Sequence, residues 1–222
     1  MKYGKFVYGV AAAAVLAFTG TAQASNLVVN GSFEDTTVAN GTWGIFSSVN
    51  GWNIVADDNN GLELRNNAVG AAYDGNNFAE LDANRNMSIW QALTTVIGQA
   101  YQLSFAYSPR AGVSTPAGTN NIDVSLNGTA IPGSPFGGSG AGQSGNNWMV
   151  YTYNFVADST STVLTFAAGG ASDSFGGSLD AVSVSTVPLP GAALMFGSAL
   201  LGAGALRKRK AGEQAQSDAL AA

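Results

Sequence analysis

The residues that limit the chemistry most are the ones missing. The 222-residue chain has no histidine and no cysteine, which removes Ser-His and Cys-His nucleophile systems and histidine-built zinc sites. What remains is carboxylates, arginines and rings. Asp180 stands out: alternation along Asp180–Val184 puts it on the same side as Val182 and Val184, toward the core. A buried carboxylate is costly unless a cation, a metal or several donors meet it. Basic partners are scarce in this part of the chain, so a hard cation is one candidate. A strand-end position, hydrogen-bonded to a loop or paired with an arginine, is the other. Glu80 and Asp82 share a strand face and have the makings of a glycosidase-type carboxyl pair, although carboxylates two apart on a strand usually line a solvent face. Flat rings suit the C–H faces of sugars, and Trp43, Trp52, Trp90, Trp148, Tyr73 and Tyr107 are the candidates. Trp90 and Ala92 face away from Ile89, Gln91 and Leu93, which puts a large ring on the more polar side of its strand. Gln91, Asp82 and Arg85 are the polar residues near it. The Gly-rich stretches lack the Gly-Lys-Ser/Thr that a phosphate loop requires, and nothing else points to catalysis.

The elements that must position these groups are strands. Tyr101, Leu103, Phe105 and Tyr107 alternate with polar or small residues, as do Ile122, Val124 and Leu126, then Met149, Tyr151, Tyr153 and Phe155, then Leu164 and Phe166, and finally Val182 and Val184. A period of two in Val-, Tyr- and Phe-rich runs reads as half-buried strands. Clusters such as Asp57–Gly61, Asp74–Asn77 and Pro132–Asn147 separate them. No stretch between Ser25 and Thr186 has the pattern of an amphipathic helix. The expected fold is an all-β antiparallel β-sandwich of the jelly-roll kind, with roughly eight to ten short strands in two packed sheets. Pro132–Asn147 is expected to be a surface loop, mobile or ligand-binding.

The two ends read as addresses. Lys2 and Lys5, the apolar run Phe6–Phe18 and Thr21-Ala-Gln-Ala24 form a secretory signal peptide over residues 1–24, so the mature protein is expected to begin near Ser25 and to be exported. Near the other end, Val187-Pro188-Leu189-Pro190 stops the last strand. Gly191–Leu206 then carries no charge, and Arg207, Lys208, Arg209 and Lys210 follow together. A helix over that stretch would be about 24 Å long, against a hydrocarbon core of about 30 Å. Snorkelling of Arg207 and Lys208 would cover part of the difference. An apolar helix ending in Lys/Arg is a stop-transfer arrangement with its basic end in the cytoplasm.

Between Ser25 and Pro190 there are 12 acidic residues against Arg65, Arg85 and Arg110, a net charge of −9 with no lysine. Nucleic acid is a poor partner for such a surface; divalent cations or neutral ligands such as sugars suit it better. Without cysteine the domain must rest on its core alone, and its length suffices for one.

Proline motif, short apolar helix with Leu-Met-Phe-Gly-Ser and Leu-Leu-Gly, and basic cluster, in that order, resemble the PEP-CTERM sorting signal. Leu189 stands where the name motif has Glu, and Ala211–Ala222 is an extra tail that would stay on the cytoplasmic side. The resemblance implies an exosortase-type membrane protease as a processing partner, transient anchoring in the membrane through residues 187–210, and a destination at the cell envelope or outside the cell.

A second resemblance covers residues 25–186. Asn26-Leu-Val-Val-Asn-Gly-Ser-Phe-Glu34, Gly51-Trp52, Ala79-Glu-Leu-Asp82, Ser88-Ile-Trp-Gln91, Gly98–Phe105, Trp148 and Ser178-Leu-Asp-Ala-Val-Ser-Val184 follow in the order of landmarks in galactose-binding-like jelly rolls. Many carbohydrate-binding modules belong to that group. The resemblance implies binding of extracellular polysaccharide without catalysis, a packing role for Trp52 and Trp148, and a structural calcium ion held between the opening and closing segments. Carried over, the ion would take Glu34 and Asp180, with backbone carbonyls completing its shell. Relatives often have two successive acids in the closing strand; here Ala181 takes the second place.

Overall fold

The computed structural model describes residues 25–55, 61–113 and 119–187. Residues 1–24, read above as a signal peptide, and everything from Pro188 onward, including the cations read as a stop-transfer cluster, lie outside the described residues. What is described is an antiparallel β-sandwich, as the periodicity predicts. Its eleven strands are β1 (Thr42–Phe46), β2 (Asn53–Ile54), β3 (Leu62–Asn66), β4 (Asn77–Glu80), β5 (Ser88–Thr94), β6 (Ala100–Ser108), β7 (Asn121–Leu126), β8 (Thr129–Ala130), β9 (Met149–Val156), β10 (Ser161–Gly169) and β11 (Ser178–Thr186). One sheet has six strands in the order β1-β3-β4-β11-β6-β9, the other five in the order β2-β5-β10-β7-β8.

The core lies between the sheets and is built by the alternating positions. Leu103 and Phe105 of β6, Leu62 and Leu64 of β3 and Leu179, Val182 and Val184 of β11 meet Ile89 and Leu93 of β5, Leu164 and Phe166 of β10 and Ile122 and Val124 of β7, all buried. Each such side chain removed from water is worth roughly 1.5–3 kcal/mol, which is how a domain without cross-links holds. Trp52 is part of this core. It stacks on Phe33 at 5.6 Å, meets Phe166 edge-on at 6.2 Å and donates its indole N–H to Asn30 O.

Three features depart from the simple alternation. Leu179 and Val182 are both core residues because the β6–β11 register shifts between Asp180 and Ser183, with Ala181 at φ +48°. One extra residue reverses the side-chain parity. Asp180 therefore does not share a face with Val182 and Val184, and points to the outer face of the six-stranded sheet. Pro132–Asn147, expected to be a surface loop, is partly built into the fold: Phe136 is buried, bridges Ile122 and packs against Phe105 and Tyr151. Trp148, which follows it, lies outside the core and seals Phe78 from above, edge-on at 5.7 Å.

Candidate functional site

The outer face of the six-stranded sheet carries most of the carboxylates singled out in the sequence, and it is covered over β3, β4 and the start of β11, while the outward side chains of β9 stay exposed. The loop at residues 73–77 folds over it and is held by two of them. Asp180 Oδ2 accepts the N–H groups of Tyr73 (2.8 Å) and Asp74 (3.0 Å), and its Oδ1 accepts that of Ala181 (2.6 Å). Glu34 Oε1 accepts the N–H groups of Asn76 (2.8 Å) and Asn77 (2.6 Å). Between those pairs sits Gly75 at φ +72°, where a Cβ would come within 2.6 Å of the Glu34 carboxylate, so the turn requires glycine. Burial pushes the Asp180 carboxyl up to about 7 against the pull of its amide donors. The two residues assigned to calcium thus act together, as a clasp on one loop. An ion at this place needs converging oxygen acceptors. What converges here is amide donors, and among the described residues no three acids gather as a metal site. The donor set does not fit calcium.

Next to the clasp lies a buried ionic cluster. Register places Glu63 of β3 directly opposite Glu80 of β4, a repulsive pair on its own. Arg65 meets both, at 2.5 Å from Glu63 and 2.6 Å from Glu80, and Arg110 approaches Glu80 at 3.1 Å. Glu80 also accepts the Gly176 N–H in a short hydrogen bond. Burial, helped by the charge of Glu63, raises the Glu80 carboxyl to about 8 in spite of the two arginines; burial raises Glu63 as well. Asp82 is fully buried and accepts the Asp173 N–H at 2.9 Å. Glu80 and Asp82 do not line a solvent face, and neither carboxylate meets solvent where a glycosidic bond could approach it. Arg65 and Arg110 enter the sequence reading only through the charge count, and their part in a buried cluster is not foreseen there. The available signal was Leu62-Glu-Leu-Arg65, a charge at every second position in a chain with only three arginines between Ser25 and Pro190.

The outer face of the five-stranded sheet is different. Trp90 stands on it half-exposed, as the alternation of β5 predicts. Register sets Asn53 of β2 on one side of it and Thr165 of β10 on the other, with Ser125 of β7 beyond Thr165. An indole ring and three hydrogen-bonding side chains form one row across the sheet. Asp123, Ala92 and Thr94 on the same face are exposed. The polar residues expected to serve Trp90 do not join this row. Gln91 points into the sandwich, where its amide donates to Val29 O (2.7 Å) and accepts from Val29 N–H (3.1 Å). Asp82 is buried against the Asp173 segment, and Arg85 is exposed on the β4–β5 connection. Of the other rings, Trp43 is 57% exposed on the edge strand β1, Tyr73 lies edge-on to Trp148 at 6.3 Å, and Tyr107 is buried with its hydroxyl on Asn120 O. Asn53, Thr165 and Ser125 were missed because only the pairing register brings them beside Trp90.

No family model matches the chain, and no curated protein matches it. Solved structures do. A Stig cyclase, Fisc from Fischerella sp. TAU, determined in complex with an indole compound, is 14% identical with a TM-score of 0.54, over 75% of this chain and 100% of its own. A family 16 carbohydrate-binding module is 17% identical with a TM-score of 0.47, over 72% of this chain and 99% of its own. TmCBM61, determined in complex with β-1,4-galactotriose, is 14% identical with a TM-score of 0.46, over 72% and 97%. The likeness to the cyclase is one of fold; the two binding modules, with scores below 0.5, carry no argument about this chain. Enzymes and binding modules both occur among the neighbours, and such a fold by itself decides neither catalysis nor ligand.

Proposed function

We propose that the chain is an exported, non-enzymatic binding protein whose sandwich takes a neutral polysaccharide on the open face of its five-stranded sheet. The observation that carries this reading is the row Asn53–Trp90–Thr165–Ser125, with a half-exposed indole at its centre. A ring offers the apolar contact that a sugar face requires, and the flanking amide and hydroxyls offer donors and acceptors for its hydroxyl groups. The net charge of −9 between Ser25 and Pro190 disfavours anionic glycans. The signal peptide and the PEP-CTERM-like segment support export, handling by an exosortase-type protease and delivery to the cell envelope or the extracellular matrix.

The test is affinity electrophoresis of the protein in gels containing neutral polysaccharides, with Trp90→Ala beside the wild type. At least one polysaccharide is expected to retard the wild type, and Trp90→Ala, folded as judged by its circular dichroism, is expected to lose most of that retardation. Equal retardation of both proteins, or none with any polysaccharide, would remove the reading. A second reading, a structural matrix protein without a specific sugar, is favoured by one observation: the long free edge of β9.

A further inference from the structure

The two sheets have four edge strands. β2 and β8 are two residues long, and β1 has five residues interrupted by Gly44. Short strands and glycine interruptions are common ways of blunting an edge against pairing. Among the described residues, β9 has none of the usual devices. Its eight residues, Met149-Val-Tyr-Thr-Tyr-Asn-Phe-Val156, include no charge, no proline and no glycine, and its pairing with β6 runs through without a bulge. Just past its end, the Ala157 N–H donates to Gln99 O. Alternation back from that bond turns the amides of Tyr151, Tyr153 and Phe155 toward β6. The amides of Val150, Thr152, Asn154 and Val156 face the free edge.

The side chains along this edge are incompletely covered as well. Val150 and Val156 are 48% and 64% exposed. On the other face Tyr151, Tyr153 and Phe155 are only half-buried, because a cleft of about 440 Å³ and a second of about 260 Å³ lie along the strand, sharing Ile131 and Tyr153. An edge with open amides, and with room for inward-facing side chains beside it, is a template for strand addition.

We infer that β9 pairs antiparallel with β9 of a second copy of this chain, joining two six-stranded sheets into one. The sequence of the strand is what selects a second copy as its occupant. With Tyr153 on the two-fold axis, Val150 lies opposite Val156, Tyr151 opposite Phe155 and Thr152 opposite Asn154. Aromatic meets aromatic on one face, and aliphatic and polar residues meet their like on the other. Every hydrogen-bonding position in that register falls on residues whose amides face outward. No charge within β9 opposes its twin. Such an interface is isologous and closes at two copies. It does not depend on the polysaccharide reading.

The test is sedimentation of the full chain in a neutral detergent over a wide concentration range, for the wild type and for Thr152→Pro. Proline at position 152 removes an outward amide and no bond to β6, so the sandwich keeps its ladder. The wild type is expected to dimerise reversibly, and Thr152→Pro to raise the dissociation constant by about tenfold or more. Because the native chain has no cysteine, Tyr153→Cys supplies a single thiol at the proposed axis. There, facing Cα atoms of a non-hydrogen-bonded pair would be about 4.5 Å apart, within disulfide range. Mild oxidation should give a covalent dimer with Tyr153→Cys and not with Ala92→Cys, which lies on the other sheet. Dimerisation unchanged by Thr152→Pro, a wild type that stays monomeric, or equal cross-linking at both thiols would each overturn the proposal.

Discussion

The two outer faces of the sandwich began from the same kind of surface, a β-sheet with alternate residues turned away from the core, and have opposite fates. On the six-stranded sheet, loops fold over the outward side chains of β3, β4 and the start of β11 and bury Glu63, Arg65, Glu80, Asp82 and Asp180, leaving the outward residues of the edge strands β1 and β9 and of the far end of β6 to solvent. On the five-stranded sheet, Trp90, Thr165 and Ser125 keep contact with solvent. The carboxylates of Glu80, Asp82 and Asp180 therefore lie where a ligand cannot reach, and the neutral row lies where it can. Buried charge demands partners, and on the covered face each carboxylate has found amide or guanidinium donors inside the protein. The difference separates groups that hold the fold from groups left available to a ligand.

The comparison breaks most readily at Glu80. Its removal leaves Arg65 with Glu63 alone, takes from Arg110 its carboxylate partner and leaves the Gly176 N–H without its acceptor, so Glu80→Ala should cost about 3 kcal/mol and lower the melting temperature by roughly 10 °C. A melting temperature close to that of the wild type would mean that the cluster is not what holds the covered face. The second effect is with pH. Burial raises Asp180 from 3.8 to about 7 and Glu80 from 4.5 to about 8, so both hold their protons more tightly in the folded state. The stability this contributes is fully present below the unfolded values and is lost as pH rises through about 7 and about 8. Thermal melts from acidic to mildly alkaline buffer should show a falling midpoint, with a shallower fall in Glu80→Gln. A midpoint that holds or climbs over that range would contradict the burial of these acids. The open face carries no such groups, and substitutions of Trp90 should leave the pH profile alone.

The alternation that reveals a strand also reveals which residues share a face, and it placed the side chains of β6, β7, β10 and most of β5 correctly, Trp90 included. It fails where a strand slips. A single extra residue at Ala181 turns Asp180 to the opposite face, and no pattern in Ser178–Val184 announces it, because Ala181 is not the glycine that usually marks a left-handed position. Periodicity is also silent about what lies above a face. Glu80 and Asp82 alternate as solvent-facing residues do, and only the segments around Arg110 and Gly176, distant in sequence, bury them. Two-residue strands such as β2 and β8 are too short to have a period, so Asn53 could not be placed beside Trp90. The pairing of Glu34 with Asp180 came from a family resemblance, and the structure does bring them to one loop, although through amides.

The smallest expected effect concerns that loop. If Glu34 and Asp180 hold residues 73–77 through four backbone N–H bonds, then the covered face is closed without an ion. A strong chelator should leave the melting temperature unchanged, and added calcium should not raise it. The measurement is sensitive. An ion that binds only the folded state stabilises it by about 2.7 kcal/mol at a hundred times its dissociation constant, which is roughly 5–10 °C for a domain of this size. A drop of that order in chelator, abolished in Asp180→Ala, would mean that calcium displaces the amides and that the clasp is a metal site after all. An unchanged midpoint would leave both faces free of metal and would assign the carboxylates of the covered face to the fold alone.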